Sequence, residues 1–549
     1  MQIPLSNIIN YMKIKVVVSN FFLKNKKIIL PFFAVLFFIS LYFLIDFSSQ
    51  SLVAHDEGLY ARRARLIESS ANWFSPPFIS PHHKTLGSYW FIALSIRLFG
   101  NSELALRLPS ILSSFLCLII SYLIALKTTN SKSALISLFS LSSMPLWIQY
   151  SRYASPDLPF VLCILLVILF FLKSLDSSKY ISQYFNLFCS GLFISSSFFI
   201  RSYMAFVPFI GLTPFIFYHL FRKEFTFKLF FCTGIAVGFI PTFLNLYFSV
   251  QKFGISGITS LFDFAKKQAI GEFGFNNLLL VPINFLYLTF PIGILLLILF
   301  VFTGSNNKAN YPLLIYCYPL ISLILLLCMS TSYPHYYLFL LPSLSLIFGN
   351  YITSYSSRFS FSNSTIRYLV FIILLLISSI LLFSILRYTD LVFLYSKGNP
   401  LIVYILISLI LLSYIASLRF LFNIKNQNSN LINFFYNIII PQYISLSLLL
   451  NFGVLGNPNH NTKLFLKDAE VSSIINSNTI YLLGVDSKIE TLLSYYLPSS
   501  RIVDDFEVIS KYKYVIISNS NLLKKLNLNQ FFIPVKKFDN HLLLVNIAS

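Results

Sequence analysis

Charge is what this sequence has least of. Only 11% of its 549 residues are charged, and the 19 acidic residues are outnumbered by 40 lysines and arginines. A soluble globular chain carries about 25% charged residues, so the composition excludes one. Cysteine is scarce as well: Cys117, Cys163, Cys189, Cys232, Cys317 and Cys328 are the six, and all fall inside apolar segments. That excludes a disulfide framework or a thiolate metal site on an oxidising face, and it leaves packing as their place. No repeat of fixed period runs through the chain, and no basic motif of the nucleic-acid-binding kind occurs in it. The Ser, Asn, Lys, Phe and Ile bias is compositional.

What the chain has instead is hydrocarbon. It is 56% hydrophobic and 17% aromatic, with a mean hydropathy of +0.76, which describes a mainly α, polytopic membrane protein. Residues 28–45, IILPFFAVLFFISLYFLI, are uncharged and long enough to cross a ~30 Å hydrocarbon core at ~1.5 Å per residue. The run is long for a signal peptide and no small-residue cleavage site follows it, so it reads as a retained span. Further apolar segments at 105–126, 133–150, 157–173, 184–200, 204–221, 229–250, 278–302, 311–329, 336–352, 368–386, 401–418 and 434–453 bring the expected spans to about thirteen.

Lysine and arginine in short connections resist translocation and so set the orientation. Lys13, Lys15, Lys24, Lys26 and Lys27 precede the first span, and alternate loops carry Lys127 with Lys132, Lys173 with Lys179, Arg222 with Lys223 and Lys228, Arg358 with Arg367, and Arg419 with Lys425. Those loops and the N-terminus belong in the cytoplasm, and topology with anionic lipid accounts for most of the formal charge of +21. By the same count the loop at 46–104, the turn at 151–156, the loop at 251–277, the turn at 330–335 and the tail lie outside, periplasmic if the membrane is a bacterial inner one. The tail changes character after Gly456: TIYLLG, YKYVIIS and HLLLVNI are short β-like runs, and polar stretches such as KDAEVSSIINS separate them. Two domains are therefore expected, a membrane domain over 1–456 and a small extracytoplasmic α/β domain over 457–549.

The ions that remain are not spread evenly. Residues 53–73, VAHDEGLYARRARLIESSANW, follow the first span directly and are crowded with them. The spacing predicts an amphipathic helix at the outer membrane surface, with Leu59, Ala64, Leu66 and Ile67 as its apolar stripe. A second such element is GSYWFIALSIRLFG, too short and too interrupted by Arg97 to span. Arg62, Arg63 and Arg65 read first as solvated interface residues. Asp157, in SRYASPDLPF, lies at the outer mouth of an apolar segment, where an ion costs about 2.5 to 3.5 kcal/mol unless it is paired or faces a wet cavity. It is either functional or a structural partner of Arg152 or Arg201. Two outward carboxylates, several arginines and Lys84 in SPHHKTLGSYW would give a membrane-surface cavity a base together with cations for an anionic group.

HDEGLYARRARLI, KTLGSYWFIALSIRLFGNSELALRLPSIL, MPLWIQYSRYASPDLPFVL and YPHYYLFLLPSLSLI resemble, in order and spacing, the GT-C glycosyltransferases, which include the lipid A aminoarabinose transferases and the protein O-mannosyltransferases. The resemblance covers roughly the first 175 residues and returns near residue 333. It implies an enzyme with about a dozen spans, often with a soluble C-terminal domain, that uses a polyprenyl-phosphate-linked sugar at the outer face of a membrane. It further implies that Asp56 is the catalytic acidic residue, Glu57 its acidic neighbour and Asp157 the second acidic site. By the same resemblance Lys84 holds the donor phosphate, and Tyr333, His335 and Tyr336 face it. The aminoarabinose branch follows its lysine with two prolines where this chain has Thr85 and Leu86. That branch also has a histidine-rich outer loop with a phosphate-binding arginine. Here the loop reads AKKQAIGEFGF, with Lys266 or Lys267 as substitutes and Arg62 as a further cation.

The chemistry can be stated without the family. A carboxylate accepts the acceptor hydroxyl's proton as its oxygen attacks the anomeric carbon, and cations stabilise the departing lipid phosphate. One base and a single displacement give inversion. Lysine and arginine could suffice without a metal, although His55, Asp56, Glu57, His82 and His83 could together hold a divalent ion. The donor is then a polyprenyl-phosphate sugar, and the acceptor a lipid A or lipopolysaccharide group, another glycan or a protein hydroxyl. The alternatives are a lipid-linked sugar flippase, which should carry midplane charges or broken helices in related halves, and a glycan ligase or polymerase.

Overall fold

The structure, a computed structural model, describes residues 50–270 except 55, parts of 282–303, 310–355 except 330–332, scattered positions over 401–416, 427–451, 459–503 except 486 and 498, 512–517, 531–538 and 541–546. The expected spans at 28–45 and 368–386 lie outside the described residues.

Two helices, α1 (Asp56–Glu68) and α2 (Gly87–Phe99), precede the apolar bundle. The bundle follows with α3 (Glu103–Thr128), α4 (Ser131–Ser143), α5 (Pro145–Tyr150), α6 (Asp157–Asp176), α7 (Tyr180–Arg201), α8 (Phe206–Phe221), α9 (Phe225–Phe253), α10 (Ser256–Ile270), α11 (Ile292–Thr303), α12 (Tyr318–Cys328), α13 (Leu341–Tyr355) and α14 (Gln427–Asn451). Local chemistry sets several of the boundaries. Ser102 caps α3 by accepting from the Ala105 N–H, and Asn130 caps α4 by accepting from the Ser133 N–H.

Five helical stretches among the described residues are long and apolar enough to cross a membrane: Glu103–Thr128, Asp157–Asp176, Tyr180–Phe221, Phe225–Phe253 and Pro334–Ser354. The expectation at 133–150 is corrected to two pieces, α4 of 13 residues and α5 of 6, because Met144 is extended and Pro145 restarts the helix at its first turn. The expected spans at 184–200 and 204–221 form one helical stretch, broken by a 3₁₀ turn at Ser202–Ala205 where Ser202 takes a φ of 54°. Leu112, Leu116 and Leu123 of α3 and Val237, Ile240 and Phe243 of α9 remain exposed, as suits a surface that faces lipid.

Close helix packing explains two glycines. A methyl group on Gly191 of α7 would stand 2.2 Å from the Phe231 carbonyl oxygen, and one on Gly234 of α9 would stand 2.1 Å from that of Phe188. Small residues there let the two backbones touch. α7 also packs on α6, α6 on α3, and α13 on α4.

The tail builds a small α/β module from α15 (His460–Lys467), α16 (Ala469–Ser477), α17 (Ser487–Tyr496) and five strands, β1 (Tyr481–Leu483), β2 (Arg501–Val503), β3 (Tyr514–Ile517), β4 (Phe532–Phe538) and β5 (His541–Asn546). The order is β2-β1-β3-β5-β4, with β1 parallel to β2 and β3, and β5 antiparallel to β3 and β4. The three apolar runs of the tail supply β1, β3 and β5. KDAEVSSIINS supplies α16, which Asp468 caps from its side chain.

α1 and α2 share one core with the tail. Leu52, Tyr60, Ala61, Ala64, Ile67, Leu86, Tyr89 and Ile92 cluster with Leu492 and Tyr495 of α17. The apolar stripe expected on α1 is rotated in consequence: Tyr60, Ala61, Ala64 and Ile67 are buried, whereas Leu66 is 40% exposed. The cause is Gly58, whose absent side chain lets the backbone at Leu492 approach to 3.2 Å of where a Cβ would stand. On α2 the exposed face is itself apolar, with Phe91, Leu94 and Leu98, which suits an in-plane helix at the lipid boundary.

Candidate active site

α1 begins at Asp56; its side chain and the whole of His55 lie outside the described residues. Glu57 is fully buried, at 0% exposure. Arg107 of α3 grips it with Nε donating to Oε1 and Nη2 to Oε2, both at 2.9 Å. The Val53 N–H donates to Oε2 at 2.9 Å and the Ala154 N–H to Oε1 at 2.8 Å. A carboxylate saturated in this way anchors the start of α1 to the turn before α6, and it is not presented to a ligand.

Asp157 opens α6 and lies buried, with its Oδ1 2.6 Å from Nη2 of Arg201 at the end of α7. Of the two arginines open to it in the sequence, the structure selects Arg201. The same guanidinium donates from Nη1 to the Tyr60 hydroxyl at 3.1 Å, and Lys84 Nζ donates to that hydroxyl at 2.9 Å. Lys84 also sits 4.8 Å from the centre of the Tyr60 ring. One phenol oxygen thus holds two cations together.

Tyr150 and Tyr336 lie within electrostatic reach of Arg201. Tyr336 joins His335 in an edge-on ring pair at 4.6 Å, and Tyr150 faces His335 Nδ1 at 3.4 Å. Burial holds the Lys84 ammonium below the usual lysine range; Tyr89 opposes that shift, Arg201 and Arg63 add to it, and Asp157 opposes it. Among the described side chains, Lys84, Arg201 and Arg63 face one carboxylate, Asp157, and an added anion would favour the charged lysine that burial disfavours.

Lys84 follows two histidines. His82 is buried, and its Nε2 lies 2.9 Å from Nη1 of Arg63, which also donates to the Tyr89 hydroxyl at 2.9 Å. Burial, then the charges of Arg63, His83 and Lys84, hold His82 well below its ordinary value, and burial followed by Lys84 and Arg63 lowers His83 to about 4. Both rings are therefore neutral at pH 7. A guanidinium at the imidazole nitrogen disfavours a cation there, and among the described residues no three His, Cys, Asp or Glu side chains are grouped to hold a metal.

α10 runs past this cluster. Phe264 packs on His83 with centroids 4.3 Å apart and the rings tilted by 34°, Ser260 donates to the His82 carbonyl at 3.2 Å, and Gln268 donates to the Tyr336 hydroxyl at 2.8 Å. Lys266 and Lys267 are exposed on the same helix. Tyr333 is 51% exposed and stacks on His335.

The structure therefore brings together Lys84, Asp157, His335 and Tyr336 from the sequence reading. It sends Arg62 elsewhere, 4.0 Å from Glu490 of α17, and commits Glu57 to Arg107. Tyr60, Arg107, Arg201 and Gln268 complete the site. Arg201 enters the sequence reading as a candidate partner of Asp157; Tyr60 does not, although its place one helical turn past Asp56 is a signal that could have found it, and Arg107 and Gln268 carry no local signal.

Comparison with known proteins gives a consistent result. Residues 83–248 match the model of the family described as dolichyl-phosphate-mannose-protein mannosyltransferase. A protein of Aquifex aeolicus is 33% identical over 114 residues, 20% of this chain and 23% of that one. The undecaprenyl phosphate-alpha-4-amino-4-deoxy-L-arabinose arabinosyl transferase of Pseudomonas aeruginosa is 24% identical over 168 residues, 30% of this chain and 31% of that one. These alignments span about a quarter to a third of the relatives' length. Crystal structures of ArnT from Cupriavidus metallidurans superpose over nearly the whole chain at 15% identity. The apo state has a TM-score of 0.72 and covers 94% of this chain and 98% of that one. The state bound to undecaprenyl phosphate has a TM-score of 0.74 and covers 96% and 99%. The two chains share a fold.

Proposed function

We propose that this chain, a member of the GT-C superfamily in fold and in motif order, is an integral membrane glycosyltransferase. It moves a sugar from a polyprenyl-phosphate donor to a hydroxyl of an envelope acceptor, of the lipid A or lipopolysaccharide kind, at the outer, periplasmic face. The observation that carries this reading is the convergence of Lys84 and Arg201 on Tyr60 at the mouth of α6. The fold shared with an ArnT that was crystallised with undecaprenyl phosphate supports a lipid-phosphate ligand for those cations.

In the proposed reaction Asp56 takes the acceptor hydroxyl's proton as the oxygen forms its bond to the anomeric carbon. The bond from that carbon to the lipid phosphate breaks, and its electron pair leaves with the phosphate, whose charge Lys84 and Arg201 stabilise. A single displacement inverts the anomeric centre. Asp157 orients Arg201 and offsets one of the two cations. Tyr333, His335, Tyr336, Lys266 and Lys267 line the approach of the phosphate. Purified protein in lipid, offered radiolabelled polyprenyl-phosphate sugars, tests the reading: transfer to an acceptor supports it, and flipping without transfer favours a flippase. Mass spectrometry of lipopolysaccharide and envelope proteins from a strain lacking the chain would identify the sugar and its acceptor.

Lys84→Ala should weaken donor binding by about 1.5 to 3 kcal/mol, the range for a charge-assisted hydrogen bond, whereas a lysine that merely snorkels would lose far less. An unchanged donor affinity with unchanged turnover returns Lys84 to a packing role. The pH dependence follows from its lowered pKa. Bound phosphate raises that pKa, so affinity is full below the pKa of free Lys84 and falls as pH climbs from it toward the pKa of the complex. Lys84→Arg, which stays protonated, should bind donor with a flat alkaline limb in the same titration.

A further inference from the structure

We infer that the C-terminal module is part of the active-site scaffold, a clamp that fixes the backbone from which Asp56 projects. The segment 50–54 leads into α1 and has no regular secondary structure of its own, so its peptide groups need partners from elsewhere. The tail supplies them. Lys463 Nζ donates to the Gln50 carbonyl at 3.2 Å, the Leu52 N–H donates to the Tyr496 hydroxyl at 3.3 Å, Asn459 Nδ2 donates to the Leu52 carbonyl at 3.0 Å, and Thr491 Oγ1 shares its one proton between the Ala54 carbonyl at 2.9 Å and the Lys488 carbonyl of its own helix at 2.7 Å.

Three more contacts set the clamp in register. Leu492 lies directly over Gly58, two residues past Asp56, where there is no room for a side chain without movement. Glu103 at the start of α3 ties the module to the bundle, 2.6 Å from Lys463 Nζ and 3.1 Å from the Tyr496 hydroxyl. From below, Arg107 donates to the Gln50 and Ser51 carbonyls and Glu57 accepts from Val53. The segment is held between the bundle and a module more than four hundred residues away in sequence.

The donor cations are held differently. Lys84 and Arg201 meet on Tyr60, in the second turn of α1, and Arg201 is fixed by Asp157. Loosening the clamp should therefore misplace the base while leaving the phosphate site largely in place, and such a misplacement costs turnover rather than donor affinity. Asn459, Thr491 and Tyr496 are positioning residues in this account. It rests on Asp56 acting as base in the proposed reaction.

The test uses the full chain in lipid nanodiscs with the double variant Thr491→Val and Tyr496→Phe, which keeps side-chain volume and removes the hydroxyls. Hydrogen exchange of peptides covering 50–58 should accelerate by about tenfold or more. Turnover should fall by about tenfold to a hundredfold while donor KM stays within about twofold. Thr491→Ser combined with Tyr496→Phe, which regains one hydroxyl relative to that double variant, should recover part of both. Unaltered exchange over 50–58 overturns the clamp, as does accelerated exchange with turnover within about twofold of wild type. A fall in turnover and melting temperature together with a rise in donor KM would also overturn it, by showing general loss of structure. A wild-type chain that transfers no sugar would refute the proposed reaction instead, and the exchange measurement would still decide whether the tail holds the segment.

Discussion

Arg107→Met is expected to destabilise the outer part of the molecule by about 3 to 5 kcal/mol, the cost of leaving a buried carboxylate without its counterion. Glu57 is 0% exposed and Arg107 2%, so water cannot replace the lost guanidinium. The substitution also strips two carbonyls, Gln50 and Ser51, of a donor. Scanning fluorimetry of the purified variant reads the loss as a lower melting temperature. The double variant Glu57→Gln with Arg107→Met should recover part of it, because the uncompensated charge is then gone. A single variant within about 1 kcal/mol of wild type would mean that the pair is solvated, contrary to its burial.

That ion pair also illustrates what the sequence could not reveal. Asp56 and Glu57 are chemically alike and adjacent, but consecutive residues on a helix diverge by about 100°, so only one can face a given cavity. Which one turns inward depends on Arg107, fifty residues away, and no local spacing encodes that. Arg62 and Arg63 diverge in the same way: Arg62 turns to Glu490 of the tail, and Arg63 to His82 and Tyr89. The rotated face of α1 has a like cause, because the burial of Ala61 rather than Leu66 is dictated by α17 lying on Gly58.

The legible parts were those written in local periodicity. The apolar segments at 105–126, 157–173 and 229–250 coincide with α3, α6 and α9, because an uncharged run of that length has few alternatives to a helix in lipid. The tail strands were legible for a related reason, since apolar runs such as YVIIS alternate with polar stretches and match β3 and its neighbours. Hydropathy could not see Pro145 breaking the segment at 133–150, because proline alters geometry without altering polarity. At the site, the constellation of Lys84 and Asp157 was legible from charge in an apolar setting. Its centre, Tyr60, was not singled out, because tyrosine is common in this chain and carries no charge.

Asp56→Asn should abolish transfer while leaving donor binding nearly intact. The argument runs through position and division of labour. Asp56 opens α1 and stands one helical turn before Tyr60, the residue on which Lys84 and Arg201 meet. Amide cannot accept the acceptor's proton, and loss of a general base costs about a hundredfold to ten-thousandfold in turnover. The cations have supports of their own, Arg201 in Asp157 and Lys84 in Tyr60. Asp157→Asn makes the contrasting case: it frees Arg201 from its ion pair, and the expected result is a raised donor KM together with lower turnover. The two variants are separated by single-turnover kinetics at saturating donor and by donor titration on the same preparations. Asp56→Asn activity within about tenfold of wild type would remove Asp56 from the role of base. If Asp157→Asn instead lost turnover with donor binding unchanged, the proton would have to be assigned to the carboxylate at the mouth of α6.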